Sequence, residues 1–247
     1  MSKVLFDHIA IGVSRMADAS GVLVGVLGGV PADGAASPVF RWGVWRFEGG
    51  GDIEILEPRG ENGFLHRFLS SSGHGIHHVT FCVPSLREAC ERAEARGYVV
   101  VGYDDSDPTW MEAFLHPRQA LGIVVQFAEK RVVLPEGTRR WQPPPSPANP
   151  PPPVRILGLR MRARSREAAQ RQWGEILLGE ATEGSPAELV YRWPGSPMRL
   201  VVEINAAAEE GPLAIEYATD RELALPDGPH PVLGARFTRS TESRSPQ

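Results

Sequence analysis

Only two cysteines occur in this 247-residue chain, and no apolar run approaches the roughly 20 residues that a bilayer-spanning helix needs. A secreted domain stapled by disulfides would need more cysteine, so Cys82, in an expected strand, and Cys90, in an expected helix, are read as reduced thiols. Basic clusters are missing as well: the arginines are scattered and the net charge is -4. Without a basic patch there is no general attraction to phosphate backbones or anionic lipid, so neither nucleic acid nor membrane is an expected partner. The first residues, MSKVLFDH, lack the apolar core of a signal peptide, and the expected location is cytoplasmic.

What is present is an apolar content of 42%, normal for a folded core, and length enough for two domains. Their boundary is WQPPPSPANPPPP, Trp141 to Pro153, where prolines without an amide donor exclude helix and sheet and favour polyproline II. At about 3.1 Å per residue this spacer reaches roughly 40 Å, enough to cross the face of a small domain. The division is therefore residues 1–135, a linker 136–153, residues 154–241 and a disordered tail 242–247.

Within the first domain the chain repeats itself. FDHIAIGVSRMADAS matches IHHVTFCVPSLREAC as strand, turn and helix. The second helix carries Leu86, Ala89, Cys90 and Ala93 at helical spacing and stops at Gly97, while its counterpart runs from about Met16 to Gly28. Short β-type runs follow each helix: RWGVWRF then DIEILEP, and TWMEAFL then GIVVQFAE, with Trp42 and Trp110 at matching places. Each copy reads β-α-β-β-β. The expected fold is α+β, with the paired modules forming a curved, barrel-like sheet around a metal cavity and a degenerate second copy behind it.

Side chains alternate across a strand, so parity assigns the faces. Ile9, Ile11 and Val13 should meet the helix, leaving His8, Ala10 and Gly12 opposite; Val79, Phe81 and Val83 leave His78, Thr80 and Cys82. Both histidines stand among small neighbours, which leaves space for a ligand, and His77 points the other way. The last strands add Glu54 and Gln126. His8 and His78 are 70 positions apart, Glu54 and Gln126 72, so equivalent places carry equivalent chemistry. Two imidazoles, a carboxylate and an amide oxygen suit a divalent ion such as Zn, Fe, Mn, Co or Ni, and are too rich in nitrogen for Mg or Ca. Glu112 shares parity with Trp110 and Phe114. It faces either the cavity, where burial would raise its pKa and make it a general base, or solvent at an edge. His116 before Pro117 shapes a turn, DDSDP at Asp104 to Pro108 resembles a cation-binding loop, and Trp42, Trp45, Tyr103 and Trp110 are candidates for an aromatic pocket or for core.

FDHIAIGV, IEILEP, GHGIHHVTFCV, and FLHP followed by GIVVQFAE resemble the vicinal oxygen chelate superfamily, which includes glyoxalase I, extradiol dioxygenases and the bleomycin- and fosfomycin-resistance proteins. The wording is most similar to methylmalonyl-CoA epimerase and covers about Lys3 to Glu129. The resemblance implies a glyoxalase-like fold, metal ligands at His8, Glu54, His78 and Gln126, a small-molecule substrate, and modules that in some members pair between chains, so a homodimer stays open. It departs at Gln126, where the epimerase and glyoxalase I carry a glutamate that is both ligand and base. The acid that the epimerase draws from the stretch before the Trp-containing strand is also absent, since residues 34–47 contain no Asp or Glu. The implied activity is that of a metal-dependent isomerase or lyase stabilising an enolate-type intermediate, with Glu54 or Glu112 moving the proton. An Fe(II)-dependent extradiol-type dioxygenase and a non-catalytic binding protein of the bleomycin-resistance type are the alternatives.

In the second domain ILGLRMRARSREAAQRQWGEILLG reads strand then helix, and AELVYRW with MRLVVEIN reads as a hairpin. LAIEYA and GARFTRS are read as remnants of a fourth unit. Gly158 falls where His8 would be and Val201 near Glu54's place, so no metal site is expected there.

Overall fold

The computed structural model describes residues 3–133, 141–185 and 187–240. Its first half consists of two β-α-β-β-β units joined by a short helix. β1 (Leu5–Gly12), α1 (Met16–Gly25), β2 (Val30–Ala36), β3 (Phe40–Arg46) and β4 (Asp52–Pro58) form the first. After α2 (Phe64–Ser72), the second comprises β5 (Gly75–Cys82), α3 (Leu86–Glu94), β6 (Val100–Asp104), β7 (Met111–Leu115) and β8 (Val124–Glu129). All eight strands share one sheet in the order β2-β3-β4-β1-β5-β8-β7-β6, with β1 and β5 antiparallel at its centre. The expected barrel is not closed: β2 and β6 remain as edges.

Local chemistry explains the repeated shape. Ile9, Ile11, Val13, Val79, Phe81 and Val83 are buried in the main core, and α1 and α3 cover that face of the sheet with Leu23, Leu86 and Ala93. The opposite face holds only a small cluster of Ala10, Leu56 and Leu65. A carboxylate from each unit's last strand accepts the first amide of its helix, Glu57 from Met16 and Glu129 from Leu86, which satisfies an orphan N–H and places negative charge at the helix's positive end. Gly97, beyond α3, adopts the left-handed conformation (φ 82°) expected of a residue that ends a helix.

The second half forms a separate six-stranded sheet. β9 (Arg155–Ala163) leads into α4 (Arg166–Ala169), which continues as π-helical turns over Gln170–Ile176. β10 (Glu180–Ser185), β11 (Glu188–Arg192), β12 (Arg199–Ile204), β13 (Gly211–Ala218) and β14 (Phe237–Arg239) complete it, in the order β10-β11-β12-β9-β13-β14. Both sheets contribute to a single core: Phe6 stacks on Phe81 at 4.9 Å, and Trp193 of the second half meets both rings. The Ser196 hydroxyl donates to the Phe6 carbonyl at 2.6 Å, and Arg92 donates to the Ile176 carbonyl at 3.1 Å.

From Trp141 onward the proline-rich stretch is docked on the first half rather than standing off it. Trp141 meets Trp45 edge-on at 5.6 Å and lies against Gly43, where any Cβ would overlap the indole. Further along, Val154 donates to the Leu27 carbonyl at 2.9 Å. The boundary placed between residues 135 and 136 and the tail 242–247 lie outside the described residues.

Trp141→Ala should lower stability by about 2 kcal/mol, since it removes a half-buried aromatic contact. Chemical denaturation followed by circular dichroism checks this, and an unchanged midpoint would show that the segment contributes no packing.

Candidate metal centre

Two β-bulges shape the floor of the cavity. In the central ladder Phe6 pairs with Phe81 and His8 with Thr80, which leaves Asp7 as an extra residue on β1. Likewise Ala10 pairs with His78 and Ile11 with Ile76, leaving His77 extra on β5. A bulge re-aims the side chain it carries. Each extra residue therefore turns to the same side as the histidine that follows it and binds that histidine's Nδ1: Asp7 Oδ2 lies 2.8 Å from His8 Nδ1, and His77 Nδ1 lies 2.9 Å from His78 Nδ1. His77 does not point away from the cavity, as simple alternation predicts; it lines the wall and packs against Phe64 and Phe68. Asp7, which strand parity gave no reason to select, also accepts from Lys130 at 3.4 Å and from the Cys82 thiol at 3.0 Å.

With both Nδ1 atoms held, the Nε2 atoms face Glu54. Glu54 Oε2 is 3.5 Å from His8 Nε2 and 3.6 Å from His78 Nε2, and the three donor atoms lie within 4.8 Å of one another. His78 Nε2 is buried and has no hydrogen-bond partner, which is costly for an imidazole unless something else binds it. Two nitrogens and a carboxylate converging around one unpartnered atom fit a divalent transition ion. Among the described residues this is the one such group of His, Cys, Asp and Glu. Gln126, the fourth expected ligand, lies beside it. Its Oε1 accepts from Thr80 at 2.6 Å, and the Thr80 hydroxyl is also 2.9 Å from His8 Nε2.

Charge at the floor is set by the same contacts. Burial disfavours a charged His8, but Glu54 and Asp7 outweigh it and raise its pKa to about 10. Burial lowers His77 to about 4, and burial together with the neighbouring His77 and His8 holds His78 well below the usual range, so both are neutral at pH 7.

Glu112 faces the cavity, not solvent. Burial raises its pKa, while its Oε2 accepts from Trp110 Nε1 at 3.0 Å and from Gln126 Nε2 at 2.6 Å. The ladders also revise the match between Trp42 and Trp110. Trp42 pairs with Leu56, two residues beyond Glu54, and Glu112 pairs with Ala128, two beyond Gln126, so the counterpart of Trp42 is Glu112.

These groups lie in a cavity of about 1210 Å³ on the open face of the eight-stranded sheet. Trp42, Tyr103 and Trp110 line it, whereas Trp45 is fully buried on the other face. Asp104 and Asp107 stand at the mouth, each also accepting from its own loop, at Ser106 and Thr109. His116 accepts from the Arg118 amide and so orders its turn.

The second sheet keeps the bulges but not the ligands. Its ladders leave Leu157 and Leu213 as the extra residues and equate Gly158 with His8, Val201 with Glu54, Ala214 with His78 and Thr238 with Gln126. Gly158 has φ 135°, and a Cβ there would run into the Arg199 backbone. Charged pairs occupy the space instead: Arg160 bonds Glu188 at 2.7 Å and Glu216 at 3.0 Å, and Arg199 bonds Glu216 at 2.9 Å.

Residues 7–114 match the model of the Glyoxalase/Bleomycin resistance protein/Dioxygenase superfamily. They form a domain of that superfamily. The uncharacterized protein YqjC of Bacillus subtilis (strain 168) is 26% identical over 128 residues, 51% of this chain and 91% of that protein. A triple variant of 4-hydroxymandelate synthase from Streptomyces coelicolor superposes over 90% of this chain and 72% of its own, with TM-score 0.62 and 13% identity, a likeness of fold that spans both sheets. Methylmalonyl-CoA epimerase from Mycobacterium tuberculosis covers 53% of this chain and 91% of its own at 23% identity and TM-score 0.48. No described helix is long and apolar enough to cross a membrane.

His8→Ala and His78→Ala should each abolish tight zinc binding, and Asp7→Asn should weaken it roughly 10- to 100-fold by releasing the His8 ring, as competition against a chromogenic chelator would show. Because metal must displace the proton on His8, binding near pH 7 should release about one proton per ion, and affinity should rise up to tenfold per pH unit while His8 stays protonated. Calorimetry in buffers of different ionisation enthalpy reads this directly; zinc binding without proton release would contradict a charged His8.

Proposed function

We propose that the first half is a metal-dependent isomerase or lyase acting on a small substrate that presents two neighbouring oxygens. The observation that carries this reading is Glu112, a carboxyl group of raised pKa facing the cavity and joined to the three-donor cluster through Gln126 and Thr80. His8, Glu54 and His78 would hold the ion, with the Gln126 amide beside them as the fourth donor. A divalent ion bound there supplies Lewis acidity that makes a C–H next to a bound carbonyl easier to ionise.

The remaining work falls to this chain's own residues. Glu112 takes the proton and returns it, and its raised pKa brings it closer to the neutral range where a base also serves as an acid. Trp110 and Gln126 both donate to Oε2, which orients the carboxylate and leaves Oε1 toward the substrate. Gln126 cannot exchange a proton at neutral pH, so the task that the family's glutamate performs from that position passes to the adjoining strand. Glu54, between two imidazoles, acts as ligand in preference to base.

Zinc-, cobalt- and manganese-loaded protein should incorporate solvent deuterium next to the carbonyl in a panel of 2-hydroxy ketones and 2-keto thioesters. Glu112→Gln should slow this by roughly 10²- to 10⁴-fold while retaining the metal. Exchange that is indifferent to Glu112 would remove the proposal. One observation favours a second reading: two imidazoles and one carboxylate also form the donor set of non-haem Fe(II) oxygenases. Iron loading without oxygen, followed by oxygen uptake with catechol-type substrates, tests it, and uptake unaffected by iron counts against it.

A further inference from the structure

We infer that His77 is a specificity-determining residue that offers its Nε2–H to an acceptor oxygen which the substrate carries beyond the two that reach the ion; the inference rests on the reading above and deepens it. The place of that proton follows from one contact. His77 Nδ1 and His78 Nδ1 lie 2.9 Å apart, so one ring donates and the other accepts. Were His77 the donor, His78 would carry its own proton on Nε2, which is buried and has no hydrogen-bond partner; Glu54 Oε2, at 3.6 Å, is beyond reach. An orphaned buried N–H is costly, and an ion on His78 Nε2 forbids a proton there outright. His78 is therefore the donor. An imidazole that accepts at Nδ1 keeps its one proton on Nε2, so the hydrogen bond that orients His78 also fixes the tautomer of His77.

That N–H is left for whatever enters the cavity. His77 is half-buried in the cavity wall, and its Nε2 bonds nothing among the described residues, yet it is not sealed from solvent as His78 Nε2 is. Phe64 and Phe68 of α2 hold the ring at centroid distances of 5.4 and 4.8 Å, so the N–H keeps one direction. Anchoring a ligand histidine needs only an acceptor, and the bulge on β1 supplies one in Asp7, whose carboxylate has no second donor to present. The His77 imidazole does the same for His78 and adds a donor on its far side. A neutral N–H recognises a carbonyl, ether or hydroxyl oxygen, and leaving it unpaired disfavours a molecule with a methylene in that place.

Two measurements on the full chain test this. In nitrogen-15 NMR of labelled histidine, with and without zinc, His77 should show a protonated Nε2 and a bare Nδ1; a proton on Nδ1 overturns the proposal. Zinc-loaded protein is then titrated with methoxyacetohydroxamate and 3-methoxypropionohydroxamate, each against its hydrocarbon isostere, butanohydroxamate or pentanohydroxamate. Each pair shares a chelating head and a charge and differs by one ether oxygen. In at least one pair the wild type should favour the ether about fivefold more than His77→Asn does. Asparagine places an oxygen where Nδ1 was, so this variant should keep zinc affinity within about threefold. Glutamine places an N–H where Nε2 was, so His77→Gln should keep the ether preference while zinc affinity falls roughly 10- to 100-fold. Equal ratios in wild type and His77→Asn for both pairs overturn the proposal. Failure to bind zinc at all would instead remove the enzymatic reading, and the spectrum of the metal-free protein would still decide where the His77 proton lies.

Discussion

The hold on two imidazole Nδ1 atoms is the constraint from which the rest of the site follows. Asp7 fixes one ring and His77 the other, and both are extra residues squeezed into a ladder that would otherwise alternate evenly. Rings held in this way present Nε2 to a common point. Glu54, brought in by the parallel strand β4, completes that point, and Gln126 joins it through the symmetric strand β8. The anchors differ in character: a carboxylate tied to Lys130 stabilises a cationic His8, while a neutral imidazole leaves His78 neutral. A pseudo-symmetric frame thus carries an unsymmetrical pair of donors.

Much of this frame is legible in the sequence because alternation and repetition are local. The parity that separates His8, Ala10 and Gly12 from Ile9, Ile11 and Val13 survives in the fold, as does the helix end at Gly97. What parity does not show is a bulge, since one added residue leaves no signature in residue type; strict alternation therefore gives no reason to select Asp7 and directs His77 away from the cavity it lines. Similarity of residue is also a poor guide where register decides: the two tryptophans suggest equivalence, yet the ladder places Glu112 opposite Ala128 as Trp42 stands opposite Leu56. The short helix α2 is not legible in the sequence although Phe64, Leu65 and Phe68 mark one of its faces, because so brief an amphipathic stretch does not distinguish a helix from a loop.

The two sheets separate scaffold from chemistry. They share a core through Phe6, Phe81 and Trp193 and keep the same central bulges, yet among the described residues only the first presents a cluster of metal-type donors. Where the first sheet has an open cavity, the second has arginine and glutamate bound to each other. Packing and a few hydrogen bonds across the junction keep the second half in place, so glycine, valine, alanine and threonine at its ligand-equivalent positions are compatible with the fold.

The conformation of Gly158 makes that difference between the sheets more than one of residue type. Histidine is not accommodated at this position, because the backbone has a φ of 135° and the neighbouring strand occupies the place a side chain would take. A side chain there would require the backbone to rearrange first, and a three-donor group would also need changes at Val201 and Ala214. A second three-donor centre is therefore more than one substitution away in this sheet, and the convergent histidines and carboxylate stay confined, among the described residues, to the other.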